Sequence, residues 1–187
     1  MGLFRKLSIV FASVIMFGCA SPAQVENMKV DNSVNMNFDN SLTDSIKIDD
    51  VEGGEETNPM WTSEVGNKEF KAALNASLKS QGLLSETNKS DYELTATLIE
   101  SDQPLFGADL EVTLSIRYIL IEIKSDKVIF DKVIKTPYTA TIGDSLMAVK
   151  RLRLANEGSA KKNITELLGI LSKLKIEKDD IKVVSTL

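Results

Sequence analysis

The run Leu110–Lys124, LEVTLSIRYILIEIK, constrains this chain more than any other. Its even positions are Leu110, Val112, Leu114, Ile116, Tyr118 and Leu120, and its odd positions open polar with Glu111, Thr113, Ser115 and Arg117. Period-two alternation rich in β-branched residues predicts a strand with one face in a core. A strand of that length reaches roughly 50 Å and needs a cover of similar length. Asp144–Lys175 supplies one, with Leu146, Val149, Leu152, Ala155, Ile164, Leu167, Leu171 and Leu174 close to helical spacing.

The remaining elements follow from the same two periods. Ser45–Val51 alternates as a first strand, and Asp91–Ser101 as a second, with Tyr92, Leu94, Ala96 and Leu98 on one side. Between them, Thr62–Gln81 reads as a helix: Thr62 or Ser63 can cap it, Phe70, Ala73, Leu74, Ser77 and Leu78 share a face, and Gly82 ends it. Ser125-Asp126 turns the central strand back into Lys127–Pro137. The order β-α-β-β-β-α predicts an α+β two-layer sandwich, an about four-stranded mixed sheet with two helices on one face and the first two strands parallel. This domain spans 45–176. Polar, asparagine-rich 19–44 reads as a flexible tether and 177–187 as a tail.

Composition narrows the chemistry. The 187 residues contain no histidine, which removes the commonest general base and metal ligand. A single cysteine excludes an intrachain disulfide. A net charge of −5 argues against nucleic-acid binding, which needs clustered Lys and Arg. No motif for a cofactor or a metal is present. In Tyr138–Ser145, YTATIGDS, hydroxyls lie beside an acid, but no histidine exists and the nearest amine, Lys150, fits no serine–lysine spacing, so Asp144 or Ser145 reads as the cap of the last helix.

Residues 1–18 join Arg5 and Lys6 to an apolar run, Leu7–Phe17, too short to span a bilayer and suited to a signal-peptide core. The following Met16-Phe17-Gly18-Cys19 resembles the lipobox of bacterial lipoproteins. That resemblance implies cleavage between Gly18 and Cys19, and a diacylglyceryl group, with its palmitate-type chains, on the Cys19 sulfur. Two or more acyl chains hold a protein on a membrane where one is marginal. Ala20, in place of the aspartate that retains lipoproteins at the inner membrane in that family, favours the outer membrane; a periplasm-facing side is the expectation, with the leaflet open. The competing reading is an ordinary secretory signal with an incidental cysteine.

Two stretches offer contact surfaces. A two-residue turn at Ser125-Asp126 would pair Ile123 with Val128 and Ile121 with Phe130, placing these four and Ile119 on the sheet face away from the helices. Such a patch suits a partner protein or a lipid chain, unless the N-terminal segment or the tail covers it or a bulge rotates the strand. Leu105-Phe106 in DQPLFGAD would offer two large apolar groups at a loop tip, or fold back onto the core. Asn156-Glu157-Gly158 lies mid-helix. Gly158 there implies a close backbone approach, and Glu157 can pair with Arg151, Arg153 or Lys161.

YELTATLIESDQPLFGADLEVTLSIRY, VIFDKVIKTPYTATIGD and RLRLANEGSAKKNI together resemble a group of small proteobacterial envelope lipoproteins. Some members carry a UDP-N-acetylglucosamine acyltransferase label, which implies an alternative role as an envelope lipid- or saccharide-modifying enzyme. Enzymes of that kind are hexapeptide-repeat β-helices with a catalytic histidine, and neither feature is in this sequence. In element order and lipobox the chain also resembles the LptE family of lipopolysaccharide-translocon lipoproteins. That likeness implies a non-catalytic role bound to an outer-membrane β-barrel protein or to lipopolysaccharide. A third reading is a carrier holding a lipid chain between sheet and helices.

Overall fold

The computed structural model describes residues 20–32, 36–58, 62–87, 89–176 and 181–182. A single helical turn, α1 (Val25–Met28), precedes strand β1 (Ile46–Glu52), helix α2 (Asn67–Ser80) and strands β2 (Tyr92–Asp102), β3 (Leu110–Glu122) and β4 (Lys127–Ala140). Helix α3 (Ala148–Leu171) and a small pair of strands, β5 (Lys175–Ile176) and β6 (Ile181–Lys182), follow. The first four strands form one mixed sheet in the order β1-β2-β3-β4, with β1 and β2 parallel and the rest antiparallel. The α+β architecture predicted from the two periods is the one observed.

Alternation sets the layers. The even-numbered side chains of β3 from Leu110 to Leu120 are all buried, and with Tyr92, Leu94 and Ala96 of β2 they form the sheet's contribution to the core. Helix α2 packs on β1, α3 lies over β3 and β4, and α1 touches both helices. Buried Phe70, Leu74, Leu78, Leu152, Ile164, Leu167 and Leu171 complete the interlayer. Strand β4 is an edge, and Lys127, Lys132, Lys135 and Pro137 along it are residues that discourage pairing with another strand.

Both long helices start later than their sequence patterns suggest. The Asp144 carboxylate accepts from the Thr141 N–H at 2.7 Å and its hydroxyl at 2.9 Å, and Ser145 Oγ accepts from the Met147 N–H at 3.2 Å. These bonds close a turn ahead of α3 instead of capping it, and Met147 is its N-cap. Residues 62–66 stay extended because the chain at 21–23 holds them: the Ala23 N–H donates to Glu64 O at 3.3 Å and Ser63 Oγ to Ser21 O at 2.8 Å. At the other end of α2, Gly82 has φ 68°, and the Leu83 N–H reaches Leu78 O at 2.9 Å, the helix stop its glycine predicts.

The stretch expected as a flexible tether is, where described, part of the folded body. Met28, Val30 and Leu42 are buried in the core. The Val30 N–H donates to Ser77 Oγ at 2.9 Å and Ser80 Oγ donates to Val30 O at 2.8 Å. The segment's sparse apolar residues show no period, yet Ala23, Met28, Val30 and Leu42 join the core, and α1 touches both long helices. Of the expected tail, β6 folds back to pair with β5, and the rest lies outside the described residues.

Candidate functional site

The hairpin joining β3 to β4 departs from the expected register. Glu122 pairs with Lys127 across a four-residue connection, Ile121 with Val128, and Leu120 with Phe130, so Ile129 is an extra residue in β4. Asp126 takes φ 55° in the connection. The longer connection overturns both expected pairings, Ile123 with Val128 and Ile121 with Phe130, and the bulge then removes Phe130 from the open face. Phe130 is 5% exposed and joins the core together with Ile129.

What remains on the open face is a mixed surface. Ile119 and Ile121 are half-buried by their neighbours, while Ile123, Val128 and Val133 are exposed. Two charge pairs cross the same face. Arg117 Nε and Nη2 donate to both carboxylate oxygens of Asp131 at 2.7 and 2.5 Å, and Lys47 lies 2.5 Å from Glu93. The hydrogen bond to Arg117 pulls the Asp131 carboxyl below its ordinary value, and the bond to Glu93 raises the Lys47 amine. The arrangement can accept aliphatic contacts flanked by paired charges of both signs.

At the opposite end of β3 the loops form an apolar apex. Leu105 and Phe106, between β2 and β3, are 91% and 88% exposed, so they do not fold back onto the core. Leu146, between β4 and α3, is 86% exposed, and Met147 and Ile142 beside it are also open. The buried Arg151 guanidinium ties these loops together. Its Nη1 donates to Ser145 O at 2.8 Å and Leu146 O at 3.0 Å, and its Nη2 to Gly107 O at 3.2 Å. Arg151 therefore does not pair with Glu157.

The buried polar seam of α3 escaped the sequence reading. Tyr118 Oη donates to Asn163 Oδ1 at 2.9 Å, Asn163 Nδ2 donates to Ile134 O at 2.9 Å, and Ser159 Oγ donates to Thr136 O at 2.6 Å. Full burial pushes the Tyr118 phenol well above its ordinary value and keeps it a donor. Farther along, Asn156 Nδ2 donates to Ser63 O at 2.8 Å and Gln103 Oε1 at 3.3 Å, and Arg153 Nη1 bonds Ser21 Oγ. Glu157, also buried, accepts from the Gln24 N–H and Asn27 Nδ2, each at 2.8 Å, and lies 3.4 Å from Arg153 Nε. Asn156, Ser159 and Asn163 recur at helical spacing, and that polar line was the available signal. Gly158 faces the Tyr138 ring of β4, where an added Cβ would stand 2.4 Å from Cδ1. A groove of about 510 Å³ opens beside this contact, lined by Tyr138, Leu154, Lys161, Lys162 and residues of α1. It lies on the flank of α3 and not between the layers.

Gly18 and Cys19 lie outside the described residues. Among those described, no helix is long and apolar enough to cross a membrane. No group of acidic or thiol side chains there could hold a metal ion.

The architecture and surfaces define a small α+β domain with one sheet face that no described helix covers. Among solved structures the chain is similar to protein XCC0632 of Xanthomonas campestris, from family DUF330, at 12% identity and a TM-score of 0.53 over 74% of this chain and 91% of that one. It is similar to a Caulobacter crescentus protein inferred to be a lipoprotein, at 14% identity and a TM-score of 0.50 over 71% and 91%. Protein CT253 of Chlamydia trachomatis matches at 11% and 0.52 over 70% and 96%. No protein-family model and no curated protein matches this chain. At these identities the likeness establishes a shared fold.

Proposed function

We propose that this chain is a lipid-anchored protein of the bacterial outer membrane that acts by binding and not by catalysis. On this reading Cys19 carries the anchor, and the open sheet face meets an outer-membrane β-barrel protein or lipopolysaccharide. The observation that carries the binding role is that face, where Ile123, Val128 and Val133 are exposed beside half-buried Ile119 and Ile121. The anchor is supported by the lipobox-like segment and by the fold shared with the Caulobacter protein.

A non-catalytic role fits the hydroxyl cluster before α3. Thr141 Oγ1 donates to Asp144 at 2.9 Å and Ser145 Oγ accepts from the Met147 N–H, so both serve turn structure, and the bonds from Thr141 lower the Asp144 carboxyl and make it a weaker base. The carrier reading gains little, since the interlayer is filled by buried side chains and by the polar seam.

Site-specific photo-crosslinking tests the binding face. A benzophenone side chain at Ile121 or Val133 should yield one adduct, with a barrel protein or lipopolysaccharide, in intact envelopes. The same group at Lys68, on α2, should not. Equal labelling from both faces, or none from either, would dismiss the open face as the contact surface.

A further inference from the structure

The apex and the point where the chain enters the domain lie at the same end of the molecule. Ser21 is fixed by Ser63 Oγ, which donates to Ser21 O at 2.8 Å, and by Arg153 Nη1. Asn156 bridges this clamp to the apex loops, donating to Ser63 O and to Gln103 Oε1, two residues ahead of Leu105. All of these groups lie around the first turns of α3, whose Arg151 holds Gly107, Ser145 and Leu146. Cys19 stands one residue before Ala20, and consecutive Cα atoms are about 3.8 Å apart. A flexible 19–44 would have let the domain tumble about its anchor. The clamp at Ser21 leaves almost no slack.

Three large apolar side chains, Leu105, Phe106 and Leu146, are each more than four-fifths exposed at that end, with Met147 beside them. A buried guanidinium holds the carbonyls of Leu146 and of Gly107, next to Phe106, which ties the two loops to one point on α3. Apolar groups presented beside a lipid attachment point match the interfacial layer of a bilayer, where amphipathic surfaces seat their apolar side.

We propose that the loops carrying Leu105, Phe106, Leu146 and Met147 seat in the membrane surface that holds the anchor, standing the domain end-on with its open sheet face turned sideways. The proposal deepens the lipoprotein reading above and rests on it. The occupant of the apex is the lipid surface. A protein partner or a second copy on these side chains is the competing outcome.

The matured lipoprotein provides the test, because acylation of Cys19 leaves no free thiol. Phe106→Cys, Leu146→Cys, Val133→Cys and Ser125→Cys are each labelled with an environment-sensitive dye. The chains are reconstituted into vesicles of phosphatidylethanolamine and phosphatidylglycerol. All four sites are exposed, so the substitutions leave the core intact. Dye at 106 and 146 should brighten several-fold and be quenched by spin-labelled lipid, while dye at 133 and at 125 should stay at its aqueous level. Floated vesicles carrying chains unquenched at 106 and 146 would overturn the seating and leave the anchor standing, as would dye shielded there by another protein chain. Quenching at 133 equal to that at 106 would also overturn it. A titratable Cys19 thiol with quenching at 106 and 146 would sink the anchor and keep the seating. A chain that neither floats nor quenches would sink both.

Discussion

Single residues show how tightly this fold is specified. Gly158 occupies a helix interior, where glycine is less favourable than alanine by about 1 kcal/mol. Its lost Cβ would stand within 2.5 Å of three Tyr138 ring atoms. Gly158→Ala should therefore lower stability by about 1–3 kcal/mol through overpacking, despite the better helix former. In a Tyr138→Ala background the same change should become neutral or stabilising. Urea unfolding of the four-protein cycle measures the coupling, and equal effects in both backgrounds would contradict it.

Glu64 makes a second case. Burial raises its carboxyl above the ordinary 4.5, and the hydrogen bond from Gln103 acts in the opposite direction. A folded value above the unfolded one favours the fold below the unfolded pKa, and that contribution is lost as pH rises through the folded value. Gln103→Leu removes a donor to the charged form, so the Glu64 midpoint should move further up. Carboxyl chemical shifts followed by NMR from acid to neutral pH read this directly. A midpoint at or below 4.5 in the native chain would refute the assignment.

At the scale of elements, the hairpin shows what one extra residue decides. Val128 and Phe130 are two apart, and uninterrupted alternation would put both on the open face. The bulge at Ile129 instead sends Phe130 into the core and leaves Val128 outside. Phe130→Ala should cost about 3–5 kcal/mol, whereas Val128→Ala should stay within about 0.5 kcal/mol. Comparable losses at both positions would restore the unbulged register. The strands, the two long helices and the Gly82 stop were legible because each carries a local signal of period or punctuation. Val128-Ile129-Phe130 carries none: three apolar residues in a row fit either face, and only packing under α3 chooses. The single turn α1 was hidden for a related reason, since four residues cannot display a helical period. The late start of α3 arose where Asp144 and Ser145, good caps by type, found nearer backbone donors.

For the whole molecule, the candidate surfaces were only partly readable. Leu105 and Phe106 were visible as a loop tip, but Leu146 and Met147 looked like part of a helix. Their meeting at one end depends on Arg151, whose partners lie on two loops far apart in sequence. The lipobox-like segment, by contrast, is local and leads to a whole-cell prediction. Labelled palmitate should enter the native chain and fail to enter Cys19→Ser, which should move from the membrane to the soluble periplasmic fraction. Palmitate retained in the variant would place the acyl group elsewhere.

The hold on Ser21 also governs whom the domain can meet. A body on a long leash searches a volume, whereas one fastened at its first folded residues patrols a plane. With the apex on the lipid, thirteen residues of β3 would lift the far hairpin roughly 40–45 Å. That height would be a fixed ruler, and sideways encounters with neighbours rooted in the same sheet of lipid would be the ones left open.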